Sequence, residues 1–328
     1  MTKSAYRHTV VKRIVGQIQK DYREQTFLCL CPACHQPAIR SHSQQKEGQL
    51  RAIAKDGKVY AISQNTYQYI KHAEPEQRIV PLKVVSIGEA STFPGYCDQH
   101  DQVIFAPIEK EPLDPERKDQ AALFFLRTIS QEYAAKRQAS FFFRELPARM
   151  GPLLHPAHRE HIHAWALGVD LFLNREGPFY LKSIFDMICK SHYDHLQVVW
   201  TRLDHTLGAS TCTGFCPWLD DHERKWSFDT PQPLVSFTIS PGTKTTDIVI
   251  SWLAQHEQDA SWIREHMRSK RGIEYMLNLC VAESADCCFG IDFWECLDGD
   301  TKRVVMENMR HNSSRGPIAK LPRILRVL

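Results

Sequence analysis

Two metal-ligand spacings set far apart constrain this chain more than any other feature. Cys31-x2-Cys34 has the spacing of a tight turn that presents two thiolates to one ion, and Cys97-x2-His100 offers a thiolate and an imidazole from the start of a helix. Together they make four soft or borderline ligands, the set that tetrahedral zinc takes. The sequence therefore predicts a structural Zn²⁺ on Cys31, Cys34, Cys97 and His100. The 62 residues between Cys34 and Cys97 leave room for a hairpin and an inserted helix. Cys29 could replace Cys31, although its alternation with Leu28 and Leu30 along a strand favours a place in the core.

A chain of 328 residues is long enough for about two domains. Pro107 to Pro115, acidic and carrying three prolines, marks the expected boundary. The expected class is α+β: a zinc-stabilised domain over residues 1–115, then a mainly helical domain with a small antiparallel sheet over 116–328. In the first part, a basic amphipathic helix is expected before residue 26, with strands at Lys58–Ser63 and Arg78–Ser86 separated by a polar loop. A short helix follows Cys97. In the second part, helices are expected over Glu116–Arg144, His158–Leu173 and Leu181–Leu203, a hairpin over 234–252, and an extended basic tail from Arg315.

With 41 Lys and Arg against 38 Asp and Glu, the net charge is only +3, so any nucleic-acid footprint has to be local. The first 58 residues hold 11 basic and 4 acidic side chains, a surplus beside the proposed metal turn. Lys12, Arg13 and Arg40 are the expected phosphate contacts. No apolar run approaches the roughly 20 residues that span a bilayer, and the start lacks an apolar signal core. A cytoplasmic protein with no membrane partner is the expectation, and its 11 cysteines are read as reduced thiols, some of them metal ligands. The His155–His163 cluster and Cys189-x2-His192-x2-His195 are read as solvated helix faces. The glycine- and hydroxyl-rich stretch at 208–214 lacks the lysine of a phosphate loop.

Cys31-Pro-Ala-Cys34, the strand carrying Ser41-His42, and Cys97-Asp-Gln-His100-Asp101 at a helix start together resemble the zinc-supported HNH (ββα-metal, treble-clef) endonuclease domain over about 80 residues. The resemblance implies a zinc scaffold, His42 in the place of the general base, and Asp101 in the place of the last ligand to a catalytic Mg²⁺ or other divalent ion. The implied chemistry is phosphodiester hydrolysis of DNA or RNA. Four positions depart from the family pattern: Ser41 stands where a first metal ligand is usual, Asp101 where His or Asn is usual, His100 where Cys is usual, and Thr92 where an orienting Asn is usual. A wider pattern, from Ile87 to Asp101 and on through Phe105-Ala-Pro-Ile-Glu109, also resembles a group of uncharacterised bacterial proteins. The family type suggests bacterial antiviral defence.

Two functional expectations follow. One is a nucleic-acid-acting protein, an HNH-like endonuclease with His42 and Asp101 at its catalytic centre. The other is a non-enzymatic, zinc-stapled module that binds nucleic acid, or that meets a protein partner or a second copy of itself through its C-terminal domain.

Overall fold

The computed structural model describes residues 3–62, 82–151, 154, 156–217, 230–284, 286–308 and 325. The expected loop between residues 64 and 77 and most of the basic tail lie outside them. Helix α1 (Lys3–Arg23) forms where the periodicity predicts it. Val11, Val15, Ile18 and Tyr22, at alternating spacings of four and three, are its buried stripe, and Lys12 and Arg13 are exposed. The stripe packs on Phe142, Leu146 and Met150.

Strand β1 (Arg40–His42) is followed by a π-helical turn at Lys46–Leu50 and by α2 (Arg51–Ile53). Asp56 and Gly57, both with positive φ, then reverse the chain into β2 (Lys58–Ile62), which pairs with β3 (Leu82–Ser86). Strand β4 (Thr92–Pro94) returns to β1 in antiparallel register, Ser41 facing Phe93. Short helices α3 (Asp98–Ile104) and α4 (Ala106–Glu109) lead to the 33-residue α5 (Lys118–Met150). From Gln120 to Gln131 that helix is buried on every side. Helices α6 (Pro156–Leu171) and α7 (Gly177–Lys190) follow.

The segment 181–203, expected to be one helix, is the end of α7 and then strand β5 (Leu196–Leu203). The break comes at Ser191, which adopts the left-handed conformation while its N–H and that of His192 close on the carbonyls of Ile188 and Met187. Strand β6 (Ala209–Phe215) precedes the expected hairpin, β7 (Val235–Pro241) and β8 (Thr246–Leu253), which pairs from Pro241 with Thr246 at the turn to Val235 with Trp252 at the open end. After two short helices, α8 (Glu257–Ala260) and α9 (Trp262–His266), come α10 (Lys270–Glu283), β9 (Cys287–Phe289), α11 (Ile291–Cys296) and α12 (Gly299–Asn308).

The hairpin belongs to a seven-stranded antiparallel sheet of order β3-β2-β9-β6-β7-β8-β5, larger than the small sheet expected. Strands β2 and β3 precede residue 115 and the other five follow it, so one sheet draws on both sides of that position. Alternate residues of β8 enter different cores, as a strand of period two requires. Ile248, Ile250 and Trp252 pack with Met276, Leu277 and Cys280 of α10, while Val249 and Leu253 pack with Phe125 and Ile129 of α5. The sheet thus lies between α5 and α10. Among the described residues no helix is long and apolar enough to cross a membrane.

Candidate metal centre and adjoining polar site

The segment before β1 folds back on itself. The Cys29 and Ala38 N–H groups donate to the carbonyls of Gln36 (2.9 Å) and Phe27 (2.8 Å), and Ala33 takes a positive φ at the tip. This short hairpin is sewn to the chain leaving β4, with Leu30 N–H donating to Gly95 O at 2.9 Å and Ile39 N–H to Tyr96 O at 2.7 Å. Cys97 follows at once as the residue before α3, and His100 lies one turn into that helix.

Cys29, Cys34, Cys97 and His100 converge so that their ligand atoms lie within 4.8 Å of one another, a group that could hold a metal ion such as zinc. Cys34 and Cys97 sulfurs are 3.9 Å apart, and the Nδ1 of His100 lies 3.2 Å from Cys97 Sγ and 3.5 Å from Cys29 Sγ. Zinc–ligand bonds of about 2.0 to 2.3 Å make tetrahedral edges of roughly 3.5 Å for sulfur to nitrogen and 3.8 Å for sulfur to sulfur. The observed separations are close to those edges, and the three-sulfur, one-nitrogen donor set suits zinc.

Cys31, expected as the first ligand, is outside this group. The chain turns at that residue, and its N–H lies 3.4 Å from Cys29 Sγ. The alternation along the strand is present, with Leu28 53% exposed and Cys29 buried, but the buried side is the one on which the other three ligands meet. Without an ion, burial pushes the Cys29 thiol up to about 12, while the backbone N–H of His100 holds Cys97 below the ordinary thiol value. A bound cation would remove the proton from each.

A second polar site adjoins the first. His42 ends β1 half-buried, with its Nε2 3.3 Å from the carbonyl of Ile87. That acceptor calls for a proton on Nε2 and leaves the Nδ1 lone pair open. Burial lowers the His42 pKa and raises that of Asp101, whose carboxylate accepts from Ser41. Ser41 itself is buried, and its Oγ accepts the Tyr96 N–H at 3.0 Å.

The charge of Arg127, from the buried stretch of α5, acts on both His42 and Asp101. Its side chain is 2% exposed, donates through Nη2 to Glu109 and lies 4.4 Å over the Phe105 ring. Its Nε and Nη1 have no hydrogen-bond partner among the described residues. A buried guanidinium with two unmet donors costs several kcal/mol unless something accepts from them (about 1–3 kcal/mol per group, more when charged). Sequence reasoning missed Arg127; its signal was a cation set directly after the apolar run Leu123-Phe-Phe-Leu126.

Arg40 and His42, two residues apart on a strand, project from the same face of β1, and Arg40 donates to Thr92 Oγ1 at 2.8 Å. Lys12 and Arg13 sit elsewhere. Helix α1 packs around Phe142, which follows Arg127 on α5 by 15 residues or about 22 Å of helix rise. The base of the site is fastened to the sheet by Asp286, just before β9. Its carboxylate accepts from Ser43 and, at 2.8 and 2.9 Å, from Ser91, and its carbonyl accepts from Gln44 at 2.8 Å.

The group around Cys29 is the one constellation with metal-ligating geometry among the described residues. The side chains of His155 and His158 lie outside the described set. Comparison with protein-family models, with curated proteins and with solved structures finds no match to this chain.

Proposed function

We propose that the protein acts on nucleic acid by hydrolysing phosphodiester bonds, on a zinc-supported unit of HNH or treble-clef type. The order of its parts supports this: a metal-binding hairpin, a β1–β4 ladder, then a helix whose preceding residue and first turn supply the last two ligands. The observation that carries the reading is a neutral imidazole with an open Nδ1, set within the field of a buried guanidinium that has two unused donors. In this chemistry, His42 Nδ1 takes the proton from a water molecule. The water oxygen bonds to phosphorus, and the bond from phosphorus to the leaving sugar oxygen breaks with its electron pair on that oxygen, which takes a proton from solvent while the imidazolium returns its own to solvent. Arg127 acts from beneath, its buried positive charge offsetting through space the negative charge that grows on the phosphoryl oxygens.

A catalytic Mg²⁺ fits these residues poorly. Ser41 is buried and committed to Tyr96, Glu109 is held by Arg127, and Asp101, itself desolvated and bonded by Ser41, is the carboxylate left, so a Mg²⁺ here would be held weakly and mostly by water and substrate oxygens. No step is assigned to it. The occupied Ser41 favours a second reading, a zinc-stapled module that binds nucleic acid or a protein partner without cutting. Incubation of labelled single- and double-stranded DNA and RNA with the wild type and His42→Ala separates the two. Cleavage abolished in His42→Ala, with zinc content unchanged, is the expected result. Cleavage equal in both proteins would remove His42 from the chemistry, and no cleavage by the wild type would leave the binding module.

A further inference from the structure

Beyond the His42 site, the chain holds an open cleft of about 360 Å³ between the end of α1, the start of the metal-binding hairpin and the C-terminal half of α5. Three aromatic rings build it: Tyr22 lies with ring centroids 5.0 Å from Phe27 and 5.6 Å from Phe141. Two arginines of α5 line it as well, Arg137 and Arg144. Seven residues apart, they lie two helical turns from each other on one face, with about 10 Å of rise between them. Arg137 covers the Phe27 ring at 4.8 Å and donates through Nη2 to Pro94 O at 2.7 Å, while its buried Nε has no partner among the described residues. Arg144 is exposed at the rim. Opposite, Asp170 accepts from Ser140 at 3.2 Å and offers a second carboxylate oxygen.

Flat rings, two cations and one acceptor make a chemistry that suits a base with its phosphate. Tyr22 is buried and Arg137 covers the Phe27 face, so the half-buried Phe141 ring serves the base, the exposed Arg144 serves the phosphate, and Asp170 can accept from an exocyclic amine or a sugar hydroxyl. We propose that this cleft receives one unpaired nucleotide of a single-stranded nucleic acid, whose backbone continues toward His42. Arg137 and Arg127 lie ten residues apart on α5, about 15 Å of helix rise, a span of a few nucleotides of extended strand. A paired base cannot enter, because its Watson–Crick edge and flanking stack are occupied. The inference rests on the proposed phosphodiester chemistry and adds the form of its substrate.

The test is fluorescence anisotropy with a labelled 12-nucleotide single strand, as DNA and as RNA, and with the matching duplex. The full-length chain is used in a His42→Ala background, so that cleavage plays no part. Arg144→Glu and Phe141→Ala are compared with their parent, and a thermal melt establishes that each variant is folded. Arg144 is exposed, so its variant keeps the core intact even if Phe141→Ala does not. The expected result is single-strand affinity above duplex affinity and a loss of about tenfold or more in Arg144→Glu, the scale of one stacked base with its phosphate. Equal strand binding by parent and Arg144→Glu would overturn the proposal, as would preference for duplex or no binding. Competition by free nucleoside monophosphate at the strand's own affinity would also overturn it, and would assign the cleft to a free nucleotide. Cleavage that survives His42→Ala while Arg144→Glu loses the strand would fail the hydrolytic reading and leave the cleft standing.

Discussion

Cys29 and Cys31 stand two residues apart and have opposite fates, which makes them a sharp test of the metal centre. Cys29→Ser is expected to lose about one zinc per chain and to melt earlier, because a three-ligand site holds a structural ion poorly. Cys31→Ser is expected to keep the ion. Metal analysis of both purified variants decides it, and zinc retained in Cys29→Ser would return the ligand role to Cys31. His42 provides the second test. Its folded pKa lies below 6.5, so the proposed cleavage should hold its rate at neutral pH and fall as the medium drops below that value and the imidazole gains a proton. Stability should move the same way, because His42 and His256 are both held neutral by burial. The unfolded chain binds those protons more readily, so stability is full above about 6.5 and is lost as pH falls through the folded values. Chemical denaturation at pH 7.5 and at pH 5.5 would show it, and unchanged stability would argue against the burial of both rings. Residue types were legible in the sequence: three of the four clustered ligands follow from spacing. The choice between Cys29 and Cys31 was not, because it depends on where the hairpin turns.

At the level of elements, the sequence was clearest where one period ran long enough. Helix α1, the helix after Glu116 and the hairpin at 234–252 all carry strong patterns, and all three are present. It was least clear where both faces of a strand are buried among small polar side chains. Strand β6 reads Ala-Ser-Thr-Cys-Thr-Gly-Phe and shows no alternation, because Thr128 meets Cys212 on one side and Ser284 meets Thr211 on the other. Strand β9 has only three residues, too few for any period. Its approach matters all the same, since Asp286 holds Ser43 and Ser91 to the sheet beneath the site. Asp286→Ala should lower unfolding free energy by about 1–3 kcal/mol, the cost of leaving buried hydroxyls without their acceptor. Urea denaturation measures this, and a change within error would mean that the serines find other partners.

For the molecule as a whole, the decisive feature is the sheet that draws strands from both sides of residue 115. Removal of residues 1–115 would strip β2 and β3 and leave β9 as an open edge with unpaired backbone groups. The fragment 116–328 is therefore expected to aggregate or to melt well below the full chain in a thermal scan. A cooperative, soluble fragment of equal stability would show instead that the C-terminal part folds alone. The prolines of 107–115 suggested a boundary, but strand pairing between distant segments, which joins β2 and β3 to the later strands, leaves no mark in local composition.

The insertion inside the β1–β4 ladder also has a consequence in time. His42 and Thr92 are partners across 49 intervening residues, and those residues include two strands of the large sheet. Closing so long a loop is slow compared with forming a local turn, and here two strands within the loop also join the edge of the large sheet beside β9. Cys29 and Cys34 can form their turn early, yet Cys97 and His100 reach them only when β4 has docked. Zinc capture thus becomes one of the last events of folding, and the rate at which a refolding chain takes up the ion serves as a clock for completion of the sheet.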